Sequence, residues 1–349
     1  MPAKPSYSDK PCATALVGFG KIAQGYSRDQ VMARVMKYAS HAQVLSAHAG
    51  LNWLSVIDPN PQARQAARQD WAIEDVEAAI EDCKHRREIE LAVLATPPLD
   101  RLKEIAAFPN LKAVLIEKPL AKDLETSRAL IDYCRQKGIL VQVNLIRRAD
   151  PCTRALKEGR LHELIGELQT ASGIYGNGLK NNGLHMIDLV RMLLGEIASV
   201  QALSPGKLEE SPMDGDFSFP FALTLAETGK TITFSPVSFK NWRENGLHLY
   251  GRSGRLDYLH GGLTILHYPL AESRMGGGEM EVAHDRPEPI AATMGEALYE
   301  MYDNLLASTK GQALFSTGPS ALRSTAVVEA LFASHRQGGT VEACGLEAE

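Results

Sequence analysis

Short apolar runs alternate with longer amphipathic stretches in the first 145 residues of the chain. The stretches have helical spacing, and the runs lie near residues 13–17, 53–57, 91–95, 114–117 and 140–145. Strands that alternate with helices are typical of a parallel sheet covered by helices on both faces. The pattern therefore predicts a doubly wound α/β domain.

The pattern changes beyond residue 165, where strand signals follow one another with only turns between them. These signals lie near residues 167–171, 200–203, 217–225, 231–235, 247–250, 255–259 and 263–268. Consecutive strands without intervening helices predict a large, open, mainly antiparallel sheet in an α+β domain. Helical segments near 185–194, 289–306 and 321–336 are expected to cover one face of this sheet.

Asp150 and Pro151 mark the start of the second domain. An N-cap aspartate followed by proline is typical of a helix start, and Gly159 is expected to end that helix. We therefore divide the chain into domains of residues 1–146 and 147–349, with the last helix free to pack back near the first domain.

The uncovered face of the second sheet needs a partner. Alternating apolar residues on it are expected to associate with a second copy, and we assign this role to Phe217, Phe219, Phe221 and Leu223. The sequence thus predicts a homodimer or homotetramer.

A glycine-rich turn follows the first predicted strand and precedes a segment of helical character. It consists of Gly18, Phe19, Gly20, Lys21, Ile22 and Ala23. Gly18 would make the tight turn, Gly20 would let a pyrophosphate approach the backbone, and Ala23 takes the place of a third glycine. The pyrophosphate would lie at the helix N-terminus, so the turn indicates a dinucleotide site.

Asp58 ends the second predicted strand, where a carboxylate accepts hydrogen bonds from the ribose hydroxyls of NAD. The same carboxylate would repel the 2′-phosphate of NADP, so NAD is the expected cofactor. NADP stays possible if Arg64 or Arg68 reaches the ribose instead.

Asp58 follows Gly18 by 40 positions, whereas this motif usually has about 20. The excess falls between Gly25 and Gly50. A helical face of Val31, Val35, Tyr38 and Ala39 is expected there. The added segment either covers part of the cofactor cleft, reaches a neighbouring subunit, or is a longer surface connection.

Two further turns lie at the ends of predicted strands. Thr96 and Pro97 should turn the chain over the nucleotide. Glu117, Lys118 and Pro119 follow the run at 113–116, and ligands of open parallel sheets bind at the carboxyl ends of the strands. Glu117 and Lys118 are therefore expected to meet the bound nucleotide, although an isolated Lys-Pro is more often an ordinary surface turn.

Residues 176–188 place amides, an imidazole and a carboxylate on a glycine-rich loop that enters a helix. If the helix begins near His185, its positive end favours the neutral imidazole that a general base requires. The alternative is a capping or packed histidine.

Composition narrows the class of protein. A net charge of −5 gives no general reason for binding nucleic acid or an anionic membrane. No apolar run is long enough to span a bilayer, and the first 11 residues lack the apolar segment of a secretion signal, so the expected location is the cytoplasm. The five cysteines and ten histidines lack metal-site spacing, and we expect no metal.

The motifs, in their order along the chain, resemble the glucose-fructose oxidoreductase / inositol dehydrogenase family of NAD(P)-dependent oxidoreductases. The similar stretches are residues 18–23, 117–119, 148–151, 183–188 and 252–256. The resemblance implies a Rossmann-type first domain for the dinucleotide and a second domain for substrate binding and oligomerisation. It also implies hydride transfer between nicotinamide C4 and a hydroxyl or keto carbon of a sugar, cyclitol or sugar nucleotide.

By the same resemblance, Lys118 and His185 are the catalytic pair. Asn181 stands where the family commonly has an aspartate, and Arg101 stands where it often has a histidine; Arg101 would face solvent or, less simply, an anionic substrate. The candidates for substrate contact are Asn144, Arg148, Tyr175, Asn181, Asn182 and His185.

Two other functions fit the same residues. Tightly held NAD could serve a transient oxidation during glycoside cleavage or elimination, with no net redox change. Alternatively, Asn181 marks a decayed active site, and the protein is a dinucleotide-binding sensor without enzymatic activity.

Overall fold

The apolar runs of the first half of the chain form a six-stranded parallel sheet. The computed structural model describes residues 10–345 except 205, 207, 208 and 212. The strands of this sheet are β1 (Cys12–Val17), β2 (Leu51–Ile57), β3 (Asp75–Glu77), β4 (Leu91–Leu94), β5 (Ala113–Ile116) and β6 (Leu140–Val143). Their order is β3-β2-β1-β4-β5-β6, which confirms the doubly wound prediction. Only β3 was not predicted, because it is three residues long and carries a charge at each end.

Helices follow the strands as the sequence indicated. The α-helices of the described chain are α1 (His41–Ala47), α2 (Pro61–Trp71), α3 (Arg101–Ala106), α4 (Leu124–Lys137), α5 (Pro151–Ala155), α6 (Leu161–Ile165), α7 (Leu184–Leu194), α8 (Ala297–Ser308) and α9 (Gly318–Arg336). Asp150 caps α5 through the N–H of Thr153, as predicted. Gly159, with φ of 125°, makes a kink before α6 rather than a clean end.

The second sheet has ten strands and is mainly antiparallel, as expected. Its strands are β7 (Leu168–Tyr175), β8 (Ile197–Ala202), β11 (Phe221–Leu225), β12 (Thr231–Pro236), β13 (Gly246–Gly251), β14 (Gly254–Leu259), β15 (Thr264–Glu272), β16 (Met280–Val282), β17 (Glu288–Ile290) and β18 (Glu342–Ala343). The order is β16-β15-β14-β13-β7-β12-β11-β8-β18, with β17 on β15, and β7 pairs with β12 in parallel. Strands β9 (Glu209–Glu210) and β10 (Phe217–Ser218) form a separate hairpin ladder.

The alternating apolar residues around β10 and β11 do not lie on an open face. Phe219, Phe221 and Leu223 are fully buried, and the ring of Phe219 packs 5.7 Å from that of Phe332 in α9. The prediction that they form an exposed association surface is therefore wrong. Strand β12 shows the alternation clearly, since its exposed positions carry threonine and serine while its buried positions carry Ile232 and Phe234.

The chain divides into two compact units. One contains the residues up to Ala149 together with Gly295–Leu322, and the other contains Asp150–Met294 together with the residues from Arg323 onward. Helix α8 thus belongs to the first unit, where Gln142 Nε2 donates to the carbonyl of Met301 at 2.6 Å. The helix expected from residue 289 starts only at Ala297, because residues 288–290 extend the second sheet as β17. No helix in the described ranges is both long and apolar enough to cross a membrane.

Candidate active site

A cavity of about 560 Å³ lies at the carboxyl ends of β1, β2 and β4 in the first unit. Gly18, Gly20, Asp58, Thr96 and Pro97 all contribute to its wall. This is the edge of an open α/β sheet where dinucleotides bind.

The two glycines of the turn have different physical roles. Gly18 has φ of +85°, and a Cβ there would lie 2.8 Å from the carbonyl carbon of Ala95, so the turn and the close packing both require glycine. A Cβ on Gly20 would meet no atom within 4 Å, so this backbone faces open space. The helix expected after Gly20 is only one turn, in which Gln24 N–H donates to the Gly20 carbonyl at 3.0 Å. Ile22 is half-buried there, and Lys21 is exposed with its Nζ 5.2 Å from the ring centroid of Tyr26.

Asp58 is fixed at the cavity wall by backbone amides. Its Oδ2 accepts from the N–H of Phe19 at 2.6 Å, and its Oδ1 accepts from the N–H of Asn60 at 2.7 Å. Each carboxylate oxygen has a second lone pair, which a ribose hydroxyl can use. The Phe19 side chain lies in the core, so this residue serves the site through its backbone.

Both arginines that could favour a 2′-phosphate are bonded to backbone carbonyls. Arg64 Nη1 donates to the carbonyls of Asp58 and Pro59 at 2.8 and 2.9 Å. Arg68 Nη2 donates to the carbonyl of Val76. Glu81 adds a second carboxylate to the cavity wall, so the residues present fit NAD.

The added segment before α1 is not a regular helix. It contains short 3₁₀ turns at Gly25–Arg28 and Met32–Arg34, and the side chains of Val31 and Val35 are 72% and 53% exposed. The prediction that Val31, Val35, Tyr38 and Ala39 share one face of a helix is therefore wrong. The segment is anchored near its end, where the ring of Tyr38 packs 4.9 Å from that of Tyr299 in α8.

The turn at Glu117, Lys118 and Pro119 is held by Arg101. This side chain is buried, and its Nη1 donates to the carbonyls of Glu117, Pro119 and Leu120. Its Nη2 donates to the carbonyl of Thr96 at 2.8 Å. The expectation that Arg101 faces solvent is wrong. Burial lowers the pKa of Arg101 to about 10, which leaves the guanidinium charged at neutral pH. The Arg101 side chain thus joins the turns after β4 and β5.

Glu117 places its carboxylate among polar side chains of the first unit. Its Oε1 accepts from Asn144 Nδ2 at 2.6 Å and lies 3.0 Å from His41 Nε2. Burial by itself would raise the pKa of Glu117, but hydrogen bonding and charge from His41, the bond from Asn144 and the charge of Lys118 outweigh it, so the pKa is lowered. The carboxylate is therefore ionised at neutral pH beside Lys118.

In the second unit, the loop with Asn181, Asn182 and His185 is already helical before His185. The α-helix α7 begins at Leu184, next to His185 as expected, and a π-turn at Leu179–Gly183 runs directly into it. The carboxylate of Asp216 accepts from the N–H groups of Lys180 and Asn181 at 2.9 and 3.2 Å. A negative charge thus neutralises the start of the helix, and the expected preference for a neutral imidazole loses its physical basis.

Asp216 was missed in the sequence, since no local pattern links it to a loop 35 residues away. Tyr175 was expected near the substrate, but it is fully buried. Its hydroxyl donates to the carbonyl of Phe219 at 2.7 Å and accepts from the N–H of the same residue at 2.9 Å. Burial raises the pKa of Tyr175, and we leave this residue out of the site.

The structure groups the remaining candidates by unit. Lys118 and Asn144 follow the neighbouring strands β5 and β6, and Arg148 lies in the 3₁₀ turn after β6. Asn181, Asn182 and His185 share the helical loop of the second unit, and each is half-buried. Among the residues that the structure describes, no group of three or more His, Cys, Asp or Glu side chains could hold a metal ion.

Comparison with known proteins identifies the type of domain that residues 13–145 form. Residues 13–145 match the family model described as "Oxidoreductase family, NAD-binding Rossmann fold". The matched residues are therefore similar to the NAD-binding domain of this oxidoreductase family, and NAD is the cofactor of the matched domain.

Individual relatives cover different shares of the chain. It is 32% identical to inositol 2-dehydrogenase 1 of Mycolicibacterium vanbaalenii over 38% of its length and 42% of that protein. It is 24% identical to D-apiose dehydrogenase of Paraburkholderia graminis over 86% of its length and 85% of that protein. The fold is similar to that of the WlbA dehydrogenase from Bordetella pertussis in complex with NADH and UDP-GlcNAcA, with a TM-score of 0.71, 18% identity, and coverage of 97% of this chain and 100% of the other.

Proposed function

We propose that this protein is an NAD-dependent dehydrogenase that interconverts a hydroxyl and a keto group on a sugar, cyclitol or sugar nucleotide. The observation that carries this function is the position of Lys118. The Arg101 contacts hold its turn at the carboxyl end of β5, on the sheet edge where β1, β2 and β4 line the dinucleotide cavity. The dehydrogenases of inositol and D-apiose among the relatives support a polyhydroxylated substrate.

Lys118 and His185 act as the catalytic pair in this mechanism. In the oxidative direction His185 takes the hydroxyl proton, and the Lys118 ammonium polarises the same oxygen. NAD, when bound, supplies the hydride acceptor at nicotinamide C4. Asn181 holds a substrate hydroxyl, because its amide can both donate and accept hydrogen bonds. It does not relay a proton, as a carboxylate at this position would. Asn144, Arg148 and Asn182 are the further substrate contacts that we propose.

The cofactor preference follows from charge. Asp58 and Glu81 both line the cavity, and a 2′-phosphate beside two carboxylates would be repelled. We also propose a cytoplasmic protein that assembles as a homodimer or homotetramer. Light scattering of the purified protein checks the assembly, and a mass of 38.0 kDa at micromolar concentration would contradict it.

Cofactor titration followed by a substrate panel tests the function. Titration followed by nucleotide fluorescence should show saturable binding of NADH, with a dissociation constant at least about tenfold lower than that of NADPH. The panel should contain inositols, D-apiose, levoglucosan and UDP-linked sugars, with NADH formation as the signal. Saturable NADH binding without turnover on any of these would favour a sensor. Cofactor that survives dialysis, together with sugar release from an aryl glycoside, would favour transient oxidation. Absence of binding to either nucleotide would refute the dehydrogenase, the sensor and the transient oxidation alike.

A further inference from the structure

Four side chains of the first unit form a continuous chain of hydrogen bonds through Glu117, the residue before Lys118. Tyr302 OH lies 2.8 Å from His41 Nδ1, and His41 Nε2 lies 3.0 Å from Glu117 Oε1. Asn144 Nδ2 donates to the same Oε1 at 2.6 Å. His41 and Tyr302 are fully buried, so the bond between them is shielded from water.

The chemistry of the groups fixes the direction of the bond between His41 and Glu117. An ionised carboxylate only accepts hydrogen bonds, so His41 must carry a hydrogen on Nε2 and donate it to Glu117. On the other side of the ring, Nδ1 lies 2.8 Å from the hydroxyl of Tyr302, which keeps its proton because burial raises its pKa well above the ordinary value. His41 is thus oriented from both sides.

The same reasoning fixes the amide of Asn144. Since Nδ2 must face the carboxylate of Glu117, Oδ1 must point away from it as an acceptor. Asn144 is 6% exposed, and its Oδ1 has no hydrogen-bond partner among the described residues. A buried acceptor of this kind costs free energy until a donor reaches it.

We propose that His41 is a positioning residue that holds Glu117 in place, and that Glu117 in turn presents Asn144 as an acceptor for a hydroxyl hydrogen of the substrate. This rests on the dehydrogenase function proposed above. Without His41, Glu117 keeps only one of the two donors on Oε1, and the carboxylate and the amide are free to turn. The loss should therefore appear in turnover on hydroxylated substrates rather than in cofactor affinity.

The chain offers a matched control in His48, at the other end of α1. His48 is also buried, its Nε2 lies 2.9 Å from Asp303 Oδ1 of α8, and its ring stacks 4.6 Å from that of Tyr299. Both histidines thus join α1 to α8, but only His41 is bonded to Glu117.

The experiment compares His41→Leu, His41→Gln and His48→Leu. Both leucine variants should lose stability to a similar extent in urea denaturation. Only His41→Leu should lower kcat by at least about tenfold, while the NADH dissociation constant changes by less than about twofold. His41→Gln should recover most of the turnover, because the Gln Nε2 can replace the donor to Glu117.

Hydrogen exchange in the cofactor-free protein gives a second readout that needs no substrate. The peptide that spans residues 113–123 should exchange faster in His41→Leu than in His48→Leu or His41→Gln. If His41→Leu does not fold, His41→Asn replaces it, since its shorter amide does not reach Glu117.

Equal loss of kcat in both leucine variants, or equal exchange of this peptide in all three, would overturn the positioning role. If the unaltered protein binds no NADH, the dehydrogenase function fails by itself. The exchange result then still decides whether His41 holds the Glu117 turn.

Discussion

The carboxylate of Asp216 lies against the peptide group of Asn181, with 3.2 Å between Oδ2 and the backbone nitrogen. A Cβ on Gly178 would lie 1.9 Å from the same Oδ2, so only glycine lets the carboxylate come this close to the loop. A carboxylate is thus present beneath position 181, although it comes from a distant part of the chain. It holds the backbone that carries Asn181, Asn182 and His185.

Replacement of Asp216 by alanine should therefore affect both stability and turnover. A buried carboxylate that accepts two backbone N–H groups is worth about 2 kcal/mol, and its loss should lower the free energy of unfolding by this order. We expect kcat/KM to fall with NADH affinity unchanged. Asp214→Ala removes an exposed carboxylate two residues away and serves as the control. Equal behaviour of the two variants in urea denaturation and kinetics would contradict the role of Asp216.

The catalytic pair gives the strongest expected effect. Lys118→Ala or His185→Ala should lower kcat by at least about a hundredfold, because each removes a group that acts on the reacting oxygen. NADH affinity, measured by fluorescence, should stay nearly intact. Lys122→Ala, four residues along the chain at an exposed position, should leave both quantities unchanged. Full turnover in His185→Ala would remove it as the proton carrier.

The two glycines of the turn should separate binding from folding. Gly20→Val places its side chain in the open space of the cavity, so we expect NADH affinity to fall at least about tenfold with little change in the melting temperature. Gly18→Ala should instead destabilise the fold by about 2 kcal/mol or more, because it combines positive φ with a contact of Cβ to backbone. Calorimetry and fluorescence titration of both variants check the contrast. Normal NADH binding by Gly20→Val would argue against a pyrophosphate at this position.

The lowered pKa of Asp257 should make the free energy of unfolding depend on pH. This effect does not involve the active site. Burial tends to raise its pKa, but bonds from His248 and Arg255 outweigh burial and hold the pKa below the ordinary value; Arg255 donates to both oxygens, at 2.6 and 2.7 Å. A lowered folded-state pKa contributes stability above the unfolded-state pKa, and this stability is lost as pH falls through the folded-state pKa.

Asp257→Asn should therefore cost about 2 kcal/mol at neutral pH, and the difference from the unaltered protein should shrink as pH falls from about 5 towards about 3. Urea denaturation across this range measures it. Asp132→Asn, in a surface pair with Arg135, should change little at any pH. A difference that stays constant with pH would show that the charge of Asp257 contributes nothing.

Local features of the sequence were sufficient for the first sheet and its nucleotide turn. Strands β1, β2, β4, β5 and β6 follow continuous apolar runs, because a parallel strand is buried on both faces. Gly18 and Gly20 could be assigned from spacing because their roles depend on backbone conformation and on the absence of a side chain. Asp150 could be assigned as an N-cap for a similar reason, since a cap satisfies N–H groups only a few residues away.

The orientation of the second sheet was not determined by its pattern. An alternating run shows that one face is buried, but it does not show which layer covers that face. Phe219 and Phe221 were therefore assigned to an open surface, whereas α9 covers Phe219 and the two rings lie in the core.

The sequence by itself determined the two kinds of sheet, the dinucleotide turn and the candidate residues for catalysis and substrate contact. Each of these depends on local periodicity, on turn conformation or on a short motif. Only the tertiary structure decided that Arg101 is a buried brace, that His41 meets Glu117 and that Asp216 holds the Asn181 loop. The bonds to His41 and Asp216 join residues 76 and 35 positions apart, and Arg101 acts on the backbone of a turn 16 to 19 positions further on. Such bonds leave no trace in local spacing, because they form only when strands and loops that are distant in sequence are brought together by folding.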